Sequence, residues 1–136
     1  MHSPLELVVL MLGTNDFQCT HDNSAWLSAQ GTVKLVRCIR QSPIEPGMPV
    51  PEILIVAPPE IREPKGTIAD KFRGAGKRSI GLARELEKVA GELSASYFDA
   101  GTVTQSSLVD GIHLDEPQHE ILGNAIAGVV QKMRLL

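Results

Sequence analysis

The chain has 136 residues, 16 acidic against 13 basic, for a formal net charge of −3. That length suits one domain with a core of ordinary size, and the acidic balance argues against a nucleic-acid partner. Cys19 and Cys38 have neither metal-ligand nor redox-pair spacing, so a reducing, cytoplasmic setting is expected.

In chain order, the first residues carry no basic region. The apolar run over residues 7–12 follows Glu6 and is too short to span a bilayer, so no leader and no membrane partner are expected. Six apolar residues without alternation suit a strand buried on both faces of a parallel sheet. The run stops at Gly13-Thr14-Asn15-Asp16. Ligands of open α/β sheets sit beyond the carboxyl ends of the strands, so chemistry is expected at this turn. Gly13 permits a sharp exit, Asn15 offers a neutral amide donor suited to an oxyanion, and Asp16 can brace the turn. Gly13, Thr14 and Asp16 are candidate substrate contacts. Phe17 and Trp26 follow closely enough to join them, although Trp26 also suits packing.

Asp22 or Asn23 can cap a helix from about Ser24. Ala25, Ala29, Val33, Val36 and Ile39 then recur at helical spacing, with Trp26 and Leu27 widening the stripe. Pro43, Pro46, Gly47, Pro49 and Pro51 make residues 41–51 a loop. Residues 52–57 read as a second buried strand, closed by Pro58-Pro59. Residues 60–76 form a long charged loop on the same edge as Asn15, a place for a substrate wall or lid. The densest basic patch, Lys71, Arg73, Lys77 and Arg78, reads as solvated surface. Residues 77–93 predict one amphipathic helix with Ile80, Leu82, Leu86, Val89 and Ala90 inward. Residues 96–99 are a very short third strand, and residues 101–108 a polar loop. Asp115 caps a last helix with Pro117 in its first turn, burying Ile121, Leu122, Ala125, Ile126, Val129, Val130 and Met133.

Strand and helix alternate three times, which implies a parallel sheet with helices on its faces. One feature of this order is physically awkward. The first strand is strongly apolar, yet nothing but residues 1–4 precedes it, leaving an exposed edge. Either another chain covers that edge or further βα units do.

A second informative stretch is Asp110-Gly111-Ile112-His113. A carboxylate three residues before a histidine, across a glycine turn, can accept from Nδ1 and leave Nε2 free as a general base. This pair follows the third strand, on the same edge as Asn15. His113, Asp115 and His119 straddle a loop and a helix start, so no metal is expected there. Gly74-Ala-Gly-Lys77 fails as a phosphate loop, because no strand leads into it and Arg78 replaces the hydroxyl.

Gly13-Thr-Asn-Asp16 followed by Asp110-Gly-Ile-His113 resembles the SGNH (GDSL-type) hydrolases, serine esterases on a flavodoxin-like sheet. Residues 4–16, the strand ending in Pro58-Pro59, and Tyr97-Phe-Asp-Ala-Gly-Thr102 are similar to the arylesterase and acyltransferase branch. The resemblance implies a three-layer α/β/α fold and acyl transfer on a small ester, without cofactor or metal. It also implies that His113 is the base, Asp110 its orienting acid and Asn15 an oxyanion donor, and it suggests an oligomer.

The sequence departs from the family at the nucleophile. Family members carry their serine in Gly-Asp-Ser after the first strand, and this sequence contains no Gly-Asp-Ser. The chain is therefore expected to be the C-terminal portion of such a domain, with the missing strands covering the exposed edge. Of the serines present, Ser3 lies at the wrong end of the sheet and Ser24, Ser28 and Ser79 lie in or at helices. Ser106 and Ser107 are near the right edge but show no nucleophile turn. Two rival readings are a non-catalytic module that pairs through the first strand and a flavodoxin-like nucleotide binder.

Overall fold

A computed structural model describes residues 5–42, 47 and 49–133. The loop prolines Pro43 and Pro46 lie outside the described residues, as does Ser3. Three parallel strands form an open sheet: β1 (Leu7–Leu10), β2 (Glu52–Ala57) and β3 (Ser96–Asp99), side by side in that order. The helices are α1 (Ala25–Gln41), α2 (Ala75–Arg78), α3 (Leu82–Glu92) and α4 (Glu116–Lys132).

β2 is the centre of the fold. It pairs with β1 through Val8↔Ile53 and Leu10↔Ile55, and with β3 through Ile55↔Tyr97 and Val56↔Phe98. Ile53, Leu54, Ile55 and Val56 are each 1% exposed or less. Burial of each such side chain is worth roughly 1.5–3 kcal/mol. Alternate β2 residues face opposite layers. Ile53, Ile55 and Ala57 pack with α1 and α3, whereas Leu54 and Val56 pack with Leu122 of α4. The architecture is thus the expected three-layer sandwich, and the second and third strands match the sequence reading. The Tyr97 hydroxyl donates to Ala83 O at 2.9 Å, tying β3 to α3. Burial above all, then Asp99 and Glu87, pushes that phenol up to about 12, so it stays a donor.

The first strand differs from expectation. It is shorter, Leu7–Leu10, and Val9 is 39% exposed. The cause is its place at the sheet edge, where among the described residues only β2 pairs with it.

Three local expectations are corrected. Ser24 itself caps α1, its Oγ accepting from Leu27 N–H at 3.2 Å. Asn23 instead donates its side-chain amide to Asp16 O. Trp26 and Leu27 do not widen the buried stripe of α1; they stand exposed, and Ser28 and Thr32 take the inward positions beside Ala25, Ala29 and Val33. The helix over residues 77–93 is broken at Gly81, whose φ of +88° is left-handed, so α2 and α3 are separate and Ile80 projects outward at 74% exposure. Helical periodicity counted Ile80 correctly in sequence, but the break rotates it off the buried face.

The last helix stands as expected, with Asp115 at its N-cap and Pro117 in its first turn. Its inward residues are less buried than their pattern suggested. Leu122 is 7% exposed, but Ile121 is exposed.

Replacing the α1 cap, Ser24→Ala, is expected to cost about 1 kcal/mol in urea unfolding. No loss would mean that the Ser24–Leu27 hydrogen bond does not hold the helix start.

Candidate active site

Two loops at the carboxyl edge of the sheet carry the candidate residues. The first follows β1. Gly13 turns the chain at φ +132°, and Thr14–Phe17 forms a 3-10 turn. Asn15 is exposed on that turn, and its side chain has no hydrogen-bond partner among the described residues. Asp16 faces the protein: its Oδ2 accepts from Ser28 Oγ at 2.7 Å, and its carbonyl accepts from the Asn23 amide at 3.2 Å. Asp16 is therefore a brace between the turn and α1. A cleft of about 310 Å³ opens beside the turn, lined by Gly13 to Asp16, by Ser28, Gly31 and Leu35 of α1, and by Met11, Leu12 and Pro58.

Phe17 was a candidate substrate contact, and the structure corrects this. It is fully buried in the core shared by α1, α2 and α3, where no ligand reaches it. Trp26 is 54% exposed and lines neither this cleft nor the larger one described below. It sits one position past Ala25, about 100° round the helix from the buried face.

The second loop follows β3 and contains the Asp–His pair. His113 Nδ1 lies 2.6 Å from Asp110 Oδ2. An ionised carboxylate only accepts, so Nδ1 carries the proton and Nε2 is left as the base. The other carboxylate oxygen, Oδ1, accepts from Ile112 N–H at 2.8 Å and His113 N–H at 3.0 Å. Both oxygens are thus engaged, and the carboxylate cannot rotate away from the ring. Burial raises the Asp110 carboxyl. The hydrogen bonds from Ile112 N–H, the His113 ring and His113 N–H outweigh it and hold the carboxyl below its ordinary 3.8. The His113 side chain is 69% exposed, with its outer edge open to solvent.

The Asp–His loop is held by its own backbone and by the long loop after β2. Ser107 N–H donates to His113 O at 2.7 Å, and Gly111 N–H to Ser107 O at 2.8 Å. Lys65 N–H donates to Asp110 O and Arg62 N–H to Gly111 O, at 3.0 and 2.9 Å. Gly111 has φ +82°, and a Cβ there would lie 2.4 Å from Glu63 O. Only glycine lets the two backbones approach so closely.

Ser106 and Ser107 are 2% and 4% exposed. Ser106 donates to Glu60 O at 2.7 Å, and Ser107 Oγ accepts from Val109 N–H at 3.0 Å. Both hydroxyls are committed to the fold. The polar loop is thus partly an interior one.

A larger cleft of about 720 Å³ lies on the same edge. Thr14, Pro58 to Arg62, the α2–α3 junction and residues 99–106 line it. Neither cleft is lined by Asp110 or His113. The turn and the pair share an edge but not a cavity. Among the described residues, no group of three or more His, Cys, Asp and Glu side chains could hold a metal ion. No described helix is long and apolar enough to cross a membrane.

One functional neighbour was not legible in the sequence. Arg78, read as solvated, is half-buried and donates to Phe17 O at 2.7 Å at the end of the Asn15 turn. The separation is 61 residues, so no local pattern could signal it. Arg73 of the same patch does face solvent and pairs with Asp70.

Replacing Gly111 by alanine is expected to push the Asp110 loop off residues 62–65, destabilising the protein by about 2 kcal/mol or more in urea unfolding. The downfield Nδ1 proton of His113 would weaken or disappear in the NMR spectrum, and an unchanged stability and proton signal would contradict the packing. The Asp110 carboxyl gives a second expectation. A depressed folded-state pKa contributes stability above the unfolded value and loses it as pH falls through the folded value. The stability gap between wild type and Asp110→Asn is therefore full at neutral pH and closes below pH 3.8. A gap unchanged down to about pH 2 would contradict the depression.

Comparison with known proteins bears on the fold. No family model and no curated protein matches the chain. Solved structures do. A carbohydrate acetylesterase family member from Sinorhizobium meliloti is 36% identical, with TM-score 0.91, covering 99% of this chain and 64% of its own. A second carbohydrate acetylesterase from Sinorhizobium meliloti is 32% identical, with TM-score 0.90, covering 97% and 63%. An inhibitor-bound aryl esterase of M. smegmatis is 34% identical, with TM-score 0.88, covering 96% and 62%. The chain spans about 62–64% of the length of these structures. Over that span the structural neighbours are esterases of the SGNH (GDSL) type, and the chain shares their fold.

Proposed function

We propose that the chain carries the acid–base and oxyanion half of a serine esterase or acyltransferase site acting on a small ester. The observation that carries this reading is the 2.6 Å Asp110–His113 bond, on the same sheet edge as the unpartnered Asn15 amide. In the proposed reaction a serine Oγ attacks the ester carbonyl as His113 Nε2 takes its proton. Asn15 Nδ2–H, with backbone N–H groups, donates to the oxyanion. The oxyanion collapses and expels the alcohol, which receives the proton back from His113. Water or a second alcohol, activated by His113, then releases the acyl group.

The serine belongs, in this reading, to a Gly-Asp-Ser segment that this sequence does not contain. The chain is then the C-terminal portion of the domain, and the segment sits at the free edge of β1. The greater length of the matched structures supports this, as does the cleft beside Asn15, which Met11 and Leu12, just past the end of β1, help line. The free, exposed thiols of Cys19 and Cys38 support a reducing, cytoplasmic setting.

Intact-mass measurement after treatment with a fluorophosphonate tests the reading. The 136-residue chain is expected to stay unmodified. A single stoichiometric adduct would overturn the missing-nucleophile part and identify a serine of this chain as the nucleophile.

A second reading rests on a different observation. Val9 of β1 and the flanking Leu5 and Leu12 are exposed, and among the described residues only β2 pairs with β1. An apolar edge strand is a template for pairing, so the chain can act as a self-assembling module through that strand. Sedimentation velocity is expected to show concentration-dependent dimers that Val9→Lys dissolves. A monomer at all concentrations would rule the module out.

A further inference from the structure

We propose that Arg78 is a positioning residue for the Asn15 turn, its guanidinium tying the carbonyls at the exit of the turn to the chain just before α2. The proposal rests on the reading of Asn15 as the oxyanion donor. Arg78 Nη2 donates to Phe17 O at 2.7 Å and to Arg73 O at 2.8 Å, and Nη1 to Gln18 O at 3.4 Å. Phe17 is the last residue of the 3-10 turn and Gln18 its C-cap. Among the described residues Arg78 pairs with no carboxylate. Its donors serve backbone carbonyls alone.

Asn15 has no side-chain partner among the described residues, so the direction of its amide is set by the turn's backbone. Asn23 holds that backbone at Asp16 O, and Ser28 holds the Asp16 carboxylate. Cys19 N–H holds the following strand of chain by donating to Lys71 O at 2.8 Å. Arg78 holds the exit between these points. A planar fork reaches several carbonyls in one fixed geometry, which a lysine ammonium does not reproduce.

Amide hydrogen exchange on the full 136-residue chain tests the proposal. The reporters are Asp16 N–H and Gln18 N–H, which close the turn onto Gly13 O and Asn15 O. In Arg78→Gln they are expected to exchange about tenfold faster, while β2 amides, which open only on global unfolding, change by about twofold at most. The Asn15 side-chain amide is expected to lose order in ¹⁵N relaxation. About 50 mM guanidinium chloride, and not sodium chloride, is expected to restore slow exchange in the turn. Arg78→Lys keeps the charge without the fork and is expected to behave like Arg78→Gln; it serves in its place if that variant does not fold. Equal acceleration of turn and β2 amides, or no acceleration, would overturn the proposal, as would a lysine variant indistinguishable from wild type. These readouts need no turnover, so a failure of the esterase reading appears separately, as an ordered Asn15 turn without chemistry.

Discussion

The loop that leaves the carboxyl end of β2 makes contact with both loops that carry the candidate chemistry. At Arg62 and Lys65 its amides donate to the carbonyls of Gly111 and Asp110. Farther on, Lys71 O accepts from Cys19, and Arg78 grips the end of the Asn15 turn. Gly111 passes the Glu63 backbone so closely that a Cβ there would clash with Glu63 O. Residues 60–78 thus form a common brace, rooted in the most buried strand of the sheet. A shift in this brace would move His113 and the Asn15 turn together.

Such an arrangement suits acyl transfer, in which a donor must sit where charge develops and a base must reach the nucleophile without reorganisation. The Asp110 carboxylate has little freedom, with one oxygen on the ring and the other on two amides. The imidazole is exposed on its other side, and the Asn15 amide is unpartnered among the described residues. Both groups are available to a third participant. In the proposed enzyme that participant is a serine carried by a segment beside β1.

Legibility from sequence followed the range of the interaction. The Asp110–His113 pair spans three residues and a glycine turn, so its geometry was readable from spacing alone. The Gly13–Asp16 turn was readable because an apolar run ends there, and β2 because residues 52–57 are bounded by proline on both sides. The bracing of the site was not readable. Arg78 meets Phe17 across 61 residues, and Ser28 meets Asp16 across 12. Periodicity also misled where backbone conformation decided the outcome. Gly81 in the left-handed region splits one amphipathic pattern into two helices, and the start of α1 at Ala25 turns Trp26 to solvent. Phe17 looked like a pocket residue because it follows Asn15, but a 3-10 turn reverses direction within a few residues and sends it into the core.

In the proposed enzyme Asn15 and His113 serve one acyl-transfer site once a serine-bearing segment is supplied. The most direct measurement is aryl-ester hydrolysis by a chimera in which residues 5–133 replace the matching part of the M. smegmatis aryl esterase, compared with its His113→Ala variant. The chimera is expected to turn over the ester and to lose about 10⁴-fold or more in kcat on removing His113. A folded chimera that does not hydrolyse the ester, or one whose rate is indifferent to His113, would contradict it.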